Sequence, residues 1–235
     1  TRNHSSAASD VYKRQKVGKY GGDFTMFTDV ARSSLVFKTP RDLATSAVNI
    51  RKVLGKYNIQ VVGLKNRFKN PTPSGYMDIL VNLHIPIQGG KHNTELQLHL
   101  EGMHAAKTKD TTLSAGAFST LQASAKTLLG LHDDQGAAAA FQFNRKALKG
   151  IETILGGTAK DPLSGHDLYN VSRYLNENHK KLGGKTSTLA GVNLKAEGAL
   201  WDKIAKDEIY DPAAKDVLAA SSAKDMDALR AIAKL

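Results

Sequence analysis

Polar and apolar residues alternate strictly through Glu95-Leu96-Gln97-Leu98-His99-Leu100. In a strand of period two this sets three polar side chains on one face and three leucines on the other. One face is expected to pack and the other to work. Residues 27–37 (FTDVARSSLVF) form an apolar, partly β-branched run that reads as a buried strand, with Asp29 and Arg32 near its start. Leu43, Ala47, Val48, Ile50, Val53 and Leu54 then recur at helical spacing, entered at Pro40 and left near Gly55. Residues 59–64 resume as strand. Residues 65–75 (KNRFKNPTPSG) carry the Pro, Gly and Asn of a loop together with three basic side chains. Residues 76–87 and 92–100 read as two strands joined at 88–91, a plausible antiparallel hairpin.

After residue 101 the strand signals stop, and Ala, Leu and Lys predict helices near 102–129, 136–155, 164–181, 195–209 and 213–234. The expected fold class is α+β: a mixed sheet flanked by helices, followed by an all-helical C-terminal region. The expected division is a core at 16–110, a helical extension at 111–182 that completes or covers it, and a helical region at 183–235. Gly183-Gly184-Lys185-Thr186-Ser187-Thr188 is the best linker candidate, Gly156-Gly157 the second. The alanines at 137–140 suggest a tight packing face, and Trp201 with Leu200, Ile204 and Ile209 a helix stripe in the core.

The chain has 235 residues, of which 41% are hydrophobic, enough for a real core. It contains no cysteine, which excludes disulfides, thiolate zinc sites and cysteine nucleophiles. No apolar run reaches the roughly eighteen residues of a membrane span, and the first thirty residues lack a secretory core. A cytoplasmic protein with no membrane partner is expected. The net charge of +11 is uneven, since residues 1–70 hold 14 Lys/Arg against 4 Asp/Glu and the remainder 19 against 18. A basic half beside a neutral one points to a polyanion, nucleotide phosphate or nucleic acid.

Residues 9–15 read SDVYKRQ. Asp10 to Gln15 back-translate as GAT GTG TAT AAG AGA CAG, similar to a transposon end used in sequencing adapters, so residues 1–15 are expected to be non-native and the natural gene to extend upstream.

Two blocks resemble the RelA/SpoT synthetase domain, a nucleotidyltransferase-like fold that transfers pyrophosphate from ATP to a nucleotide hydroxyl. Lys65, Pro71, Gly75 and Tyr76 coincide with the family's Lys-Asp-Tyr and Pro-Lys-x-Asn-Gly-Tyr-x-Ser-x-His. Glu95, Gln97, Met103 and His104 fall without a gap on Glu-Ile-Gln-Ile-Arg-Thr-x-x-Met-His. Asp29 and Arg32 look like its first-strand acid and arginine, and Gly165-His166-Asp167-Leu168-Tyr169 resembles Ala-His-Trp-x-Tyr some fifty residues later than the family has it.

The resemblance implies Asp29 and Glu95 as catalytic residues and ligands of Mg²⁺, with Glu95 alternatively the base at the attacking 3′-hydroxyl. It implies ATP as donor and a GDP- or GTP-like acceptor, or the 3′ end of tRNA as in the family's toxic members. Tyr76, taken as an exposed ring, is expected to stack on the acceptor base. Arg32, Lys65 and Arg67 are expected on phosphates, and Ser74, Gln97, His99, His104 and His166 elsewhere on the nucleotide. Leu80, Thr72 and Ser74 replace the family's acceptor-site histidine, the lysine after Pro71 and the asparagine before Gly75. A binding module without turnover, from a phage or mobile-element protein, is the reading of a different class. Gly184-Lys185-Thr186 matches the end of a phosphate loop, but His179 occupies the required first glycine.

Overall fold

Strand β1 (Ala31–Phe37) opens the described part of the protein, a computed structural model whose described residues are 31–108, 111–134, 141–184 and 189–234. Helix α1 (Pro40–Lys56) begins where Thr39 accepts the Asp42 N–H at 3.1 Å, with Pro40 in the first turn. Strands β2 (Gln60–Asn66), β3 (Ile79–Ile87) and β4 (Gly90–Leu100) follow. The sheet order is β1-β4-β3-β2, with β1 parallel to β4 and the other pairs antiparallel.

This mixed sheet with its flanking helices is the α+β class expected from the sequence, and its register lays out the site. Arg32, Glu95, Asn82 and Gly63 lie in one row across the sheet, and Ser34, Gln97, Leu80 and Lys65 in the next. Side chains in one row share a face. On the opposite face Leu98, Leu100, Ile79, Val81 and Leu83 pack against Leu43 and Leu54 of α1 and Ile232 of the last helix.

Helices α2 (Glu101–Thr108), α3 (Ala115–Asp133), α4 (Arg145–Gly156), α5 (Gly165–Lys181), α6 (Leu194–Ile204), α7 (Asp211–Ala219) and α8 (Ala223–Lys234) make up the rest, with a 3-10 turn at Leu189–Gly191 and a π segment at Ala205–Tyr210. They bury a second core that includes Trp201, as its spacing predicted, with the indole N–H donating to Ser124 Oγ at 3.2 Å. Gly165 lets α5 start close against the sheet's covering layer: a Cβ there would stand 2.5 Å from Tyr210 Oη and 2.8 Å from the Ala106 carbonyl.

Helix boundaries depart from the periodicity where local caps compete with it. The expected helix at 102–129 is two, because Thr111 bridges Leu163 and Ser114 caps α3 through the Ala117 N–H. The expected helix at 213–234 breaks where Ser222 accepts the Asp225 N–H. The strand expected from Tyr76 begins at Ile79. Residues 1–30, with Asp29 and the adapter-like segment, lie outside the described residues, as do 137–140 and 185–188 of the linker. Among the described residues no helix is long and apolar enough to cross a membrane.

Candidate active site

The parallel pairing of β1 with β4 sets Arg32 directly beside Glu95, and Arg32 Nε lies 2.6 Å from Glu95 Oε1. Two residues along the strand, Gln97 Nε2 donates to the same oxygen at 2.8 Å. Lys107 of α2 reaches back to Gln97 Oε1 at 3.1 Å and lies 3.5 Å from Tyr76 Oη. The tyrosine hydroxyl donates to Asp78 Oδ2 at 2.8 Å and stands 3.0 Å from His99 Nδ1. Arg67 completes the chain through its ion pair with Asp78, which is wholly buried.

Hydrogen-bond bookkeeping fixes the histidine. Tyr76 has one proton to give, and the carboxylate, which only accepts, takes it; His99 Nδ1 must therefore carry a hydrogen and donate to Oη. Nε2 is then bare, buried and without a partner among the described residues. Burial, followed by the charge of Lys107, lowers the His99 pKa to about 4, so the ring is neutral near pH 7. Burial and the neighbouring Asp78 push the Tyr76 phenol well above its ordinary range. Lys107 is lowered by burial first and by Arg32 and Arg67, against the pull of Asp78.

The tight loop before Tyr76 is built by its small residues. Gly75 takes φ +82, a left-handed conformation open to glycine, and donates its N–H to the Thr72 carbonyl at 2.8 Å. Thr72 Oγ1 accepts the Tyr76 N–H at 3.0 Å and contacts Ser74 Oγ at 3.0 Å.

Several expectations are corrected by this packing. The Tyr76 ring is 8% exposed, lying 5.5 Å from the Tyr210 ring, with Lys107 at 5.4 Å and Arg67 at 5.9 Å over it, so it offers no open face to a base. The cause is that α2 and the π segment close over the loop. His99 is 0% exposed and braces Tyr76 instead of facing a ligand. Ser74 is buried with its hydroxyl turned into the loop. Arg67, expected on a loop and facing phosphate, is fixed to Asp78.

The other candidates hold different positions. Arg32 keeps 48% of its side chain exposed, within reach of a ligand. Lys65 is exposed on edge strand β2, in the row of Gln97. The His104 ring packs 5.0 Å from His99. His166 is exposed in the first turn of α5, where surrounding protein and then Lys107 lower its pKa.

Of the expected Asp29–Glu95 pair only Glu95 is described, and its Oε1 already accepts from Arg32 and Gln97. Among the described residues no group of three or more His, Cys, Asp or Glu is placed to hold a metal ion. Magnesium is commonly held by one or two carboxylates with waters and substrate phosphates, and of the expected pair Glu95 is the carboxylate described here while Asp29 lies outside the described residues.

Asp78 and Lys107 were missed in the sequence. Asp78 follows Tyr76 by two residues, the spacing that returns to one side of an extended chain, and Lys107 follows His104 by three, the spacing of one helix face. Either pattern was a usable signal.

No family model matches the chain, and no curated protein sequence matches it. Solved structures similar to it include small alarmone synthetase 1 from Bacillus subtilis bound to its product pppGpp, at 16% identity over 45% of this chain and 55% of that one, TM-score 0.37. Others are small alarmone synthetase 2 from Bacillus subtilis, at 14% over 73% and 74%, TM-score 0.35, and a GTP pyrophosphokinase family protein from Streptococcus pneumoniae, at 13% over 72% and 68%, TM-score 0.32. The match spans about half the length of synthetase 1.

Proposed function

We propose that the chain is a RelA/SpoT-like nucleotide pyrophosphokinase, moving pyrophosphate from ATP to the 3′-hydroxyl of a GDP- or GTP-like acceptor. The observation that supports it is the convergence of Arg32, Glu95, Gln97, Lys107 and Tyr76, from four separate stretches of sequence, into one connected polar network on β4. In the proposed step the hydroxyl oxygen attacks the β-phosphorus of ATP, the bond from that phosphorus to the α-bridging oxygen breaks, and AMP leaves. The hydroxyl proton passes to the Glu95 carboxylate. Arg32 supplies positive charge where the transferred group builds up negative charge. Arg32 now holds Glu95, so a phosphate that draws the guanidinium away also uncovers the carboxylate.

Glu95 and Asp29 would hold Mg²⁺, which would supply charge neutralisation on the phosphates, and no part of this step is routed through it. Two observations favour a rival, a nucleotide or nucleic-acid binder without turnover: Glu95 is neutralised by Arg32, and Tyr76 is buried. Incubating the protein with labelled ATP and, separately, GDP, GTP, ATP and tRNA discriminates these readings. Label moving to GDP or GTP supports the proposal. Label moving only to tRNA supports the toxin-type acceptor, and binding without transfer supports the rival.

A further inference from the structure

The polar face of the sheet carries more positive charge than its own acids neutralise. Arg32 is held by Glu95 and Arg67 by Asp78. Lys107 hydrogen-bonds the neutral oxygens of Gln97 and Tyr76, at 3.1 and 3.5 Å, and lies 5.4 Å from the Tyr76 ring centre, while Asp78 and Glu95, each held by its own arginine, attract it from nearby. Its charge is positioned, and the cluster of Arg32, Arg67 and Lys107 with Glu95 and Asp78 keeps one positive charge in excess. The position follows from the chain path: α2 starts directly where β4 ends, and Lys107 lies near the end of that short helix, turned back over the strand it came from.

A half-buried ammonium whose hydrogen bonds go to neutral acceptors has lost hydration without gaining an ion pair of its own. Burial first, and then the like charge of Arg32 and Arg67, depress the Lys107 pKa against the pull of Asp78 and Glu95. An incoming anion removes that imbalance. The neighbouring imidazole cannot do the same work, because His99 is neutral and fully enclosed. A hydrogen-bonded line runs from Lys107 through Gln97 to Glu95 and Arg32, so Lys107 and Arg32 lie at opposite ends of one bonded chain along β4.

We propose that Lys107 is a phosphate-binding residue of this site, its ammonium held by Gln97 and Tyr76 to receive an anionic oxygen of a nucleotide's phosphate chain. The inference rests on the nucleotide reading and adds to it the residue on which the phosphate sits. It also assigns selectivity, since a nucleoside without phosphate gains nothing from Lys107.

The test is calorimetric titration of the full chain with GDP, guanosine and inorganic pyrophosphate, for the unaltered protein, Lys107→Gln and Lys107→Arg. Lys107→Gln keeps polar contacts but removes the charge; it should weaken GDP and pyrophosphate binding about tenfold or more and leave guanosine unchanged. Lys107→Arg should stay within about threefold, and should still distinguish phosphate from nucleoside if the Gln variant fails to fold. Equal GDP affinity in Lys107→Gln overturns the inference while the nucleotide reading stands. Equal loss for GDP and guanosine marks a structural role and overturns it too. Lys107-dependent binding of pyrophosphate without any binding of GDP sustains the anion site and removes the nucleotide reading, and binding of neither overturns both.

Discussion

Strand β4 has two faces made from alternate residues, and both are buried, yet they are closed in opposite ways. Leu98 and Leu100 meet helix α1 and the last helix in a core with no charge to place. Glu95, Gln97 and His99 are covered by α2 and the Tyr76 loop, and each polar group there depends on a named partner. The apolar face tolerates any close fit of similar volume, whereas the polar face works only as a connected set. Burial alone therefore does not tell a core from a site; the difference lies in whether charges are paired.

The comparison breaks first at Asp78. Asp78→Ala leaves Arg67 without its counter-ion and Tyr76 without its acceptor, and is expected to cost about 4 kcal/mol in urea unfolding, as for loss of one partner from a buried pair. On the other face Leu98→Ala opens a cavity in the sheet core and is expected to cost about 3 kcal/mol while nucleotide affinity holds. A loss below 1 kcal/mol at Asp78 would mean that the polar network is not structural.

Acid sharpens the contrast. The folded-state pKa of His99 lies near 4, below the ordinary value of 6.5, so the unfolded chain binds the proton more readily. Its contribution is full above about pH 6.5, falls as pH drops through that window, and is lost by about pH 4, up to about 3 kcal/mol in all. Unfolding followed across pH 7 to 4 checks this. His99→Asn, whose amide can donate to Tyr76, should flatten the dependence, and Leu98→Ala should leave it unchanged.

The alternation at 95–100 was legible because period two is a local property, and so was the packing of Trp201. The neighbour of Glu95 was not, since β1 is joined to β4 across more than fifty residues and only the sheet register brings Arg32 alongside. Tyr76 misled for a related reason: a Gly-Tyr pair reports a tight turn but not what covers it, and here Tyr210 comes from the far end of the chain. Helix ends at Thr108 and Ala219 were hidden because Ala- and Lys-rich periodicity runs across them, while the caps at Ser114 and Ser222 are single residues. Lys107 is one lysine among many in a helical stretch, and its three-residue spacing from His104 is the signal that singles it out.

The most direct measurement is transfer of the ATP β- and γ-phosphates to GDP, followed by phosphorus NMR alongside GDP affinity, for the unaltered protein and Glu95→Gln. The account predicts AMP and a 3′-pyrophosphorylated product, with turnover falling at least about 100-fold in Glu95→Gln and GDP affinity kept within a few-fold. Turnover undiminished by Glu95→Gln, or no transfer from the unaltered protein despite nucleotide binding, would contradict it.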